Sequence, residues 1–404
     1  MTTSRPPPLP VEVLQGPPGD QGLAHGRALR DQSVLTPAGV ARYLGACAPL
    51  TRTEPGDLIN LATRWIAELP PHIPDEIDGM ARGARMPFDD VLAFLYADIA
   101  KPSRTPGAAP GDDARTLNPA ATGDEHDLIA RPRSTTPPPP GPMCSAVVHH
   151  DAHASPWVAR NCDWLTATLA RGTSAVVHRL PGRHPTLGVG IRGDIDVDTG
   201  LNAAGLWLHL HTLYAIAPIP ADRPRISWLF WAREALETCA TIDELEAFIN
   251  ATARDRGVLV VAATPSKGAV FECGRATCTR HDAEPGRPLT ATNHSPAKHI
   301  DDDRRSRARP GGSIARACRL RDALASHAPE HLPDDLAELL ADPEIEMDRR
   351  PGSRLHAATG PSPISTIYSA VASPRDRAVW FAQGSADGAP APSTGHWHQL
   401  NGLI

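Results

Sequence analysis

With 404 residues, 41% of them apolar, the chain can bury a sizeable core, in one large domain or two ordinary ones. A formal net charge of −6 and a pI near 6.3 supply no attraction for nucleic acid or an anionic membrane, so neither is expected as a partner. Proline, at 43 residues, is about twice its usual share and gathers in Arg5–Pro18 and Lys101–Pro142, which marks linkers rather than core.

The opening MTTSRPPPLP lacks the charged-then-apolar pattern of a secretory signal. No apolar run approaches the ~18 residues of a membrane span. Seven cysteines in irregular spacing (47, 144, 162, 239, 273, 278, 318) argue for reduced thiols, and the expected location is the cytoplasm. Residues 1–15 are expected to be disordered, and 16–100 to form a helical front region. There Gly16–Asp31 reads as a turn into a helix, and Asp57–Leu69 spaces its apolar residues helically. Ile77–Met86 and Phe88–Ala97 read as two more helices, with Pro87 at the break and Asp89 close to a cap.

From 101 to 143 the chain is Pro, Gly, Thr, Ala and charge, ending TTPPPPGPM. Such a linker cannot bury enough surface to fold. Residues 144–404 form a mixed α+β body. It holds β-like runs (SAVVHH, PWVAR, SAVVHRL, TLGVGI, GLWLHL), helices near 227–238 and 242–255, and strands near 258–263 and 268–272. Helices over 313–326 and Asp334–Leu340 follow, and a strand pair over 364–372 and 377–383 closes the chain. No internal repeat is visible.

The most informative stretch is MCSAVVHHDAHASPWVARNCDW. Two β-like runs flank His150–Ser155, a polar loop short enough for a hairpin. A turn near Ala152–His153 sets Cys144 opposite Asn161–Asp163, beside the cation of Arg160 and the carboxylate of Asp163. A cysteine at its ordinary pKa needs a base or a cation to become a good nucleophile. If the chain were cut before Cys144, its own α-amino group, of pKa roughly 7.7–8.0, could be that base. Spacing alone leaves open the plainer reading, a buried strand cysteine beside a surface ion pair. Cys162 is expected to matter little.

This stretch resembles the penicillin acyltransferase (acyl-CoA:6-aminopenicillanate acyltransferase) cysteine peptidase family of N-terminal-nucleophile (Ntn) hydrolases, relatives of the bile salt and penicillin V hydrolases. CSAVV followed by ARNCDW is similar to that superfamily's nucleophile hairpin. Further matches lie in order: GLNAAGLWL (200–208), AVFEC (269–273), TATNHS (290–295), GGSIARACRLRDAL (311–324) and ISTIYSAVASPRDRAVWFAQGSAD. Ahead of the cysteine, HGRALRD and EIDGMARGARMPFDDVLAFLY resemble the family's front region. Each motif is weak alone; their order and joint spacing are strong.

The resemblance implies a four-layer αββα sandwich and an inactive precursor that cleaves itself between Met143 and Cys144, leaving fragments of 143 and 261 residues. It implies Cys144 as nucleophile, acylated as a thioester, with its freed amine as proton relay. Asp163 would hold that amine, Asn293 would donate to the oxyanion, and Arg160 and Arg316 would be charged site residues. An oxyanion-hole donor is typically worth about 100- to 1000-fold in rate. Asn202 is a substrate-binding candidate, though Asn before small residues is also ordinary turn chemistry. His294 is given a structural role. Two departures stand out: Met143 occupies a place where relatives often have Gly, and Ser145 one where they often have Thr.

The implied partners are a small-molecule acyl donor, an amine or water as acceptor, and the chain's own cleaved N-terminal fragment; a homo-oligomer is left open. No cofactor is expected, with acyl-CoA a candidate co-substrate. A narrow N-acyl amino acid or peptide amidase is the enzymatic alternative, and an unprocessed binding protein on the same scaffold the non-enzymatic one. No metal is expected. Cys273, Cys278 and His281 lack a second matching pair, and His149, His150, His153, His209 and His211 read as solvated or packed. The charges of 301–307 read as a solvated loop.

Overall fold

The computed structural model describes residues 8–51, 55–99, 143–213, 225–254, 257–274, 278–295, 310–348, 350–359, 363–385 and 389–404. The expected linker lies outside the described residues except for Met143, as does the charge run of 301–307.

The front region begins with strand β1 (Val11–Gln15), followed by helices α1 (Pro18–Asp31), α2 (Pro37–Thr51), α3 (Pro55–Trp65), α4 (Ile73–Ala84) and α5 (Phe88–Tyr96). Part of the span expected to be disordered is therefore ordered. In β1 only Leu14 is buried, so its apolar pattern is faint; the strand is held by parallel pairing with residues 175–179. The cap of α5 is Pro87 without a side-chain bond, and Asp89 sits inside the first turn, where a carboxylate complements the helix dipole. Helices α1 and α4 pack backbone to backbone. A Cβ on Gly22 would lie 1.9 Å from the Glu76 carbonyl oxygen, and one on Gly79 2.2 Å from that of Gly19, so only glycine permits this approach.

The body carries β2 (Met143–His150), β3 (Pro156–Leu165), β4 (Thr173–Arg179), β5 (Thr186–Ile191), β6 (Thr199–Asn202) and β7 (Trp207–Leu213). The short β8 (Arg225–Ile226) precedes helices α6 (Trp228–Thr238) and α7 (Ile242–Ala251). Next come β9 (Ala253–Arg254), β10 (Gly257–Ala263), β11 (Gly268–Cys273), β12 (Cys278–Asp282) and β13 (Leu289–Ala291). Helices α8 (Ser313–Ser326), α9 (Asp334–Leu340) and α10 (Arg354–Thr359) lead to β14 (Ile364–Ser373), β15 (Ala378–Gln383) and β16 (Trp397–Leu400). Thr241 and Glu244 close a reciprocal capping box that starts α7.

Among the described residues the strands form an eight-stranded sheet, ordered β1-β4-β5-β6-β7-β10-β11-β12, and a six-stranded sheet, ordered β13-β2-β3-β14-β15-β16; β8 and β9 pair apart. The sheets face each other where β2 and β3 meet β7 and β10. Helices α8 and α9 cover the six-stranded sheet, and α6 and α7 the eight-stranded one. The result is a four-layer αββα sandwich. Strands β3, β10 and β14 are buried at every residue, as strands with both faces covered must be.

Candidate active site

Antiparallel pairing of β2 with β3 sets Met143 opposite Asp163, Cys144 opposite Cys162 and Ala146 opposite Arg160. Because side chains alternate along a strand, this register sorts the candidates onto two faces. Cys144, Cys162 and Arg160 point between the sheets; Ser145, Asn161 and Asp163 point toward α8 and α9. The short loop fixed the pairing correctly, but the thiol and the Asp163 carboxylate lie on opposite sides of the sheet.

On the inner face the fully buried Arg160 donates from Nη2 to Cys144 Sγ at 3.3 Å. Its Nη1 donates to Thr199 Oγ1 and lies 3.8 Å from Asp198 Oδ2. Its guanidinium stands 5.4 Å from the Tyr368 ring centroid, and the Tyr368 hydroxyl donates to Asp198 Oδ1 at 2.8 Å. Burial alone would raise the Cys144 thiol, but a hydrogen bond with Cys162 and the charge of Arg160 outweigh it, so the net shift is downward. Cys162, taken for a bystander, instead holds its proton well above the ordinary thiol range, through burial and that same bond.

On the outer face Arg316, from α8, donates through Nη1 to the Cys144 carbonyl oxygen and to Ser145 Oγ at 2.7 Å. Its Nη2 donates to Asn293 Oδ1 at 2.9 Å, and Asp163 Oδ2 lies 3.8 Å from Nη1. The Cys144 amide donates to the same Asn293 Oδ1 at 2.9 Å. Thr366 Oγ1 donates to Asp163 Oδ1 at 2.6 Å. A β-bulge between Thr366 and Tyr368 lets β14 serve both faces, pairing Thr366 with Asp163 and Tyr368 with Cys162.

Cys144, Asp163, Arg160, Arg316 and Asn293 are thus brought together, with two corrections. Asn293 faces Cys144 as an acceptor, while its Nδ2 donates to the Thr212 carbonyl at 3.0 Å; the oxyanion-donor geometry expected of it is not the one seen. Asn202 does not fit a substrate-binding role. Its Nδ2 donates to the carbonyls of Leu236 and Cys239, both at 2.7 Å, and its Oδ1 accepts from the amides of Ala204 and Leu206. All four capacities of the carboxamide are spent on the fold. His294 meets Ser313 Oγ through Nδ1 at 2.7 Å, and Ser313 also receives the Asn293 amide at 2.7 Å, so this ring braces the segment that carries Asn293.

Thr199, Asp198, Tyr368 and Thr366 were missed. Part of their signal was alternation: Asp194, Asp196 and Asp198 recur at every second residue, with Thr199 next to the last, and Thr366 and Tyr368 stand two apart in a strand that also carries Ser365, Ser369 and Ser373. His209 and His211 stack at 5.1 Å between ring centroids, and burial pushes both well below the usual imidazole range. Cys273 and Cys278 face each other across β11 and β12 with sulfurs 3.6 Å apart.

The family model for acyl-coenzyme A:6-aminopenicillanic acid acyl-transferase matches residues 150–387, more than half of the chain, beginning at the end of the Cys144 strand. No curated protein matches by sequence. Among solved structures, a mutant form of conjugated bile acid hydrolase from Clostridium perfringens is similar at 10% identity and TM-score 0.47, over 64% of this chain and 92% of that one. Penicillin V acylase from Agrobacterium tumefaciens is similar at 16% identity and TM-score 0.43, over 59% and 83%. The Caenorhabditis elegans ortholog of N-acylethanolamine-hydrolyzing acid amidase is similar at 16% and 0.40, over 57% and 93%.

Proposed function

The chain belongs to the acyl-coenzyme A:6-aminopenicillanic acid acyl-transferase family, and from that premise we propose that it is a self-cleaving acyltransferase or amidohydrolase whose nucleophile is Cys144. In the precursor, Cys144 Sγ adds to the Met143 carbonyl carbon and the C–N bond of the peptide breaks, leaving a thioester and a free α-amine. Water hydrolyses that thioester and separates Met143 from Cys144. In the processed enzyme the α-amine takes the thiol proton, the sulfur adds to the carbonyl of an N-acyl substrate, and the amine leaves with a proton from the ammonium. The acyl-thioester then passes its acyl group to water or to an incoming amine. Acyl-CoA is a candidate donor for the same step, with a thiol as leaving group.

The observation that carries this reading is the double hold on one residue. Arg160 sits 3.3 Å from the Cys144 sulfur, and Asn293 Oδ1 sits 2.9 Å from its nitrogen. The first favours the thiolate. The second offers an acceptor that an ammonium would keep, with Asp163 close behind through Arg316 and Thr366. Asp163 and Asn293 thus act on the amine and Arg160 on the sulfur, while Arg316 positions the carbonyl of Cys144.

Intact-mass measurement of the purified chain tests the first half. Two fragments meeting at Met143 and Cys144 are expected from the native sequence, and one uncut species from Cys144→Ala. Turnover of an acyl anilide by a chain still joined across that bond would overturn the mechanism. A panel of amine acceptors beside water separates transfer from hydrolysis.

A further inference from the structure

At the end of the β11–β12 ladder, Cys273 pairs directly with Cys278. Their sulfurs lie 3.6 Å apart, and Cys273 Sγ donates to Cys278 Sγ. Directly opposed residues of antiparallel strands have Cα atoms about 4.5–5.5 Å apart, inside the roughly 4.4–6.8 Å that a disulfide spans. The backbone thus already has the spacing of a disulfide. Joining the sulfurs asks for side-chain rotation, not for a shift of the ladder.

The pair lies on the helix-covered side of the eight-stranded sheet, away from the nucleophile. Phe271 and Arg280 are the next pair on the same face, and Arg280 Nη1 donates to Asp243 and Glu246 of α7, at 2.9 Å each. Glu272 takes the opposite face, where its Oε2 accepts from Ser295 Oγ at 2.7 Å, two residues beyond Asn293.

Cys144 and Cys162 also face each other, so register alone does not choose between the two pairs. Access does. Cys278 is half-buried, and the other six cysteines are buried. The bond from Cys273 and the nearby charge of Arg254 hold the Cys278 thiol below its ordinary value, while burial and that same bond hold Cys273 well above it. Arg254 is fixed beside them, donating from Nη2 to the Gly274 carbonyl oxygen at 2.9 Å. One thiol is reachable and readily ionised, and the other is shielded behind it.

We propose that Cys273 and Cys278 form a reversible dithiol–disulfide site whose co-reactant is a low-molecular-weight disulfide. The Cys278 thiolate attacks one sulfur of that molecule, whose S–S bond breaks; a mixed disulfide forms on Cys278 and one thiol leaves. Cys273 then gives up its proton, attacks the Cys278 sulfur and expels the second thiol. The two cysteines together lose two electrons and two protons, and the small disulfide takes up both as two thiols. The new bond fastens β12, the outermost strand of its sheet, to β11 and leaves Cys144 a free thiol. This site does not depend on the acyl-transfer reading.

To test it, the full-length chain is incubated with oxidised glutathione, unfolded in iodoacetamide and digested with trypsin without reductant. Trypsin cuts after Arg275, between the two cysteines, so closure yields two peptides held by one bond and parted by dithiothreitol. This species should form at least tenfold faster than any other disulfide within the chain. In Cys273→Ser, Cys278 should stop as a mixed disulfide with glutathione, and in Cys278→Ser, Cys273 should remain alkylated as a free thiol. Both thiols left free in the native sequence, glutathione retained on its Cys278, or another pair closing first would overturn the inference.

Discussion

Cys144 and Cys162 face each other directly across the β2–β3 pair, and their thiols are shifted in opposite directions: the first is held low, the second high. Removing either Cys162 or Arg160 should raise the Cys144 thiol. Iodoacetamide alkylation followed against pH should shift its midpoint upward by about one unit for Cys162→Ala, since one pKa unit is about 1.4 kcal/mol and a hydrogen bond is worth about 1. For Arg160→Gln the shift should be about one to three units. A midpoint that neither substitution moves would mean the sulfur is not tuned by this face.

Asp196 gives a pH signature. In the unfolded chain its carboxyl ionises near its ordinary 3.8, whereas in the folded chain it keeps its proton to higher pH. The native state thus loses stability as pH rises from about 4, until the folded carboxyl itself ionises. Asp196→Asn removes that loss, so its gain in Tm over the native sequence should be small at pH 4 and larger at pH 8. A gain that shrinks with rising pH contradicts this environment.

Asn202→Ala should cost stability rather than specificity. It strips partners from one buried and one half-buried amide and from two buried carbonyls, a loss of about 3 kcal/mol or more, readable by urea unfolding. Altered substrate choice at unchanged stability would restore its binding role.

Arg233 of α6 joins Glu76 of α4 at 2.8 Å and Glu237 at 2.7 Å, all fully buried. Arg233→Met leaves the buried Glu76 without its arginine, while Glu237 keeps Arg183 at 3.0 Å, and should cost about 3–5 kcal/mol. Chemical denaturation with a loss under 1 kcal/mol would show the ion cluster to be dispensable.

Gly22→Ala should be among the worst single-methyl additions in the chain, because the added carbon meets main chain rather than a movable side chain. The penalty should exceed the roughly 1–3 kcal/mol of ordinary overpacking, whereas Gly45→Ala, whose Cβ meets nothing within 4 Å, should be neutral or stabilising. Thermal melts of the two variants compare them directly.

Much of the architecture could be read from period and punctuation. The β2–β3 register followed from the length of one loop, and α8 and α9 begin and end where their apolar spacing does. What escaped depended on partners distant in sequence. β1 is only five residues long, exposes both of its valines and exists because an edge was available to it. Helix α2 (Pro37–Thr51) was not anticipated, its Ala, Gly and Pro blurring the helical period. The side of the sheet on which Asp163 lies needs only the alternation of a strand, but its use of Thr366 needs a bulge that no local pattern marks. Asn202 shows the converse: a motif legible in sequence can be legible for its turn chemistry alone.

The front region is stitched into the body by more than chain continuity. β1 completes an edge of the larger sheet, Trp65 and Trp164 each donate across the junction, to Ser227 and Asp98, and Arg233 clasps Glu76. A cut after Met143 would sever none of these. The product would behave as a permanent two-chain subunit rather than as an enzyme that has shed a propeptide, and separating its halves would require unfolding both.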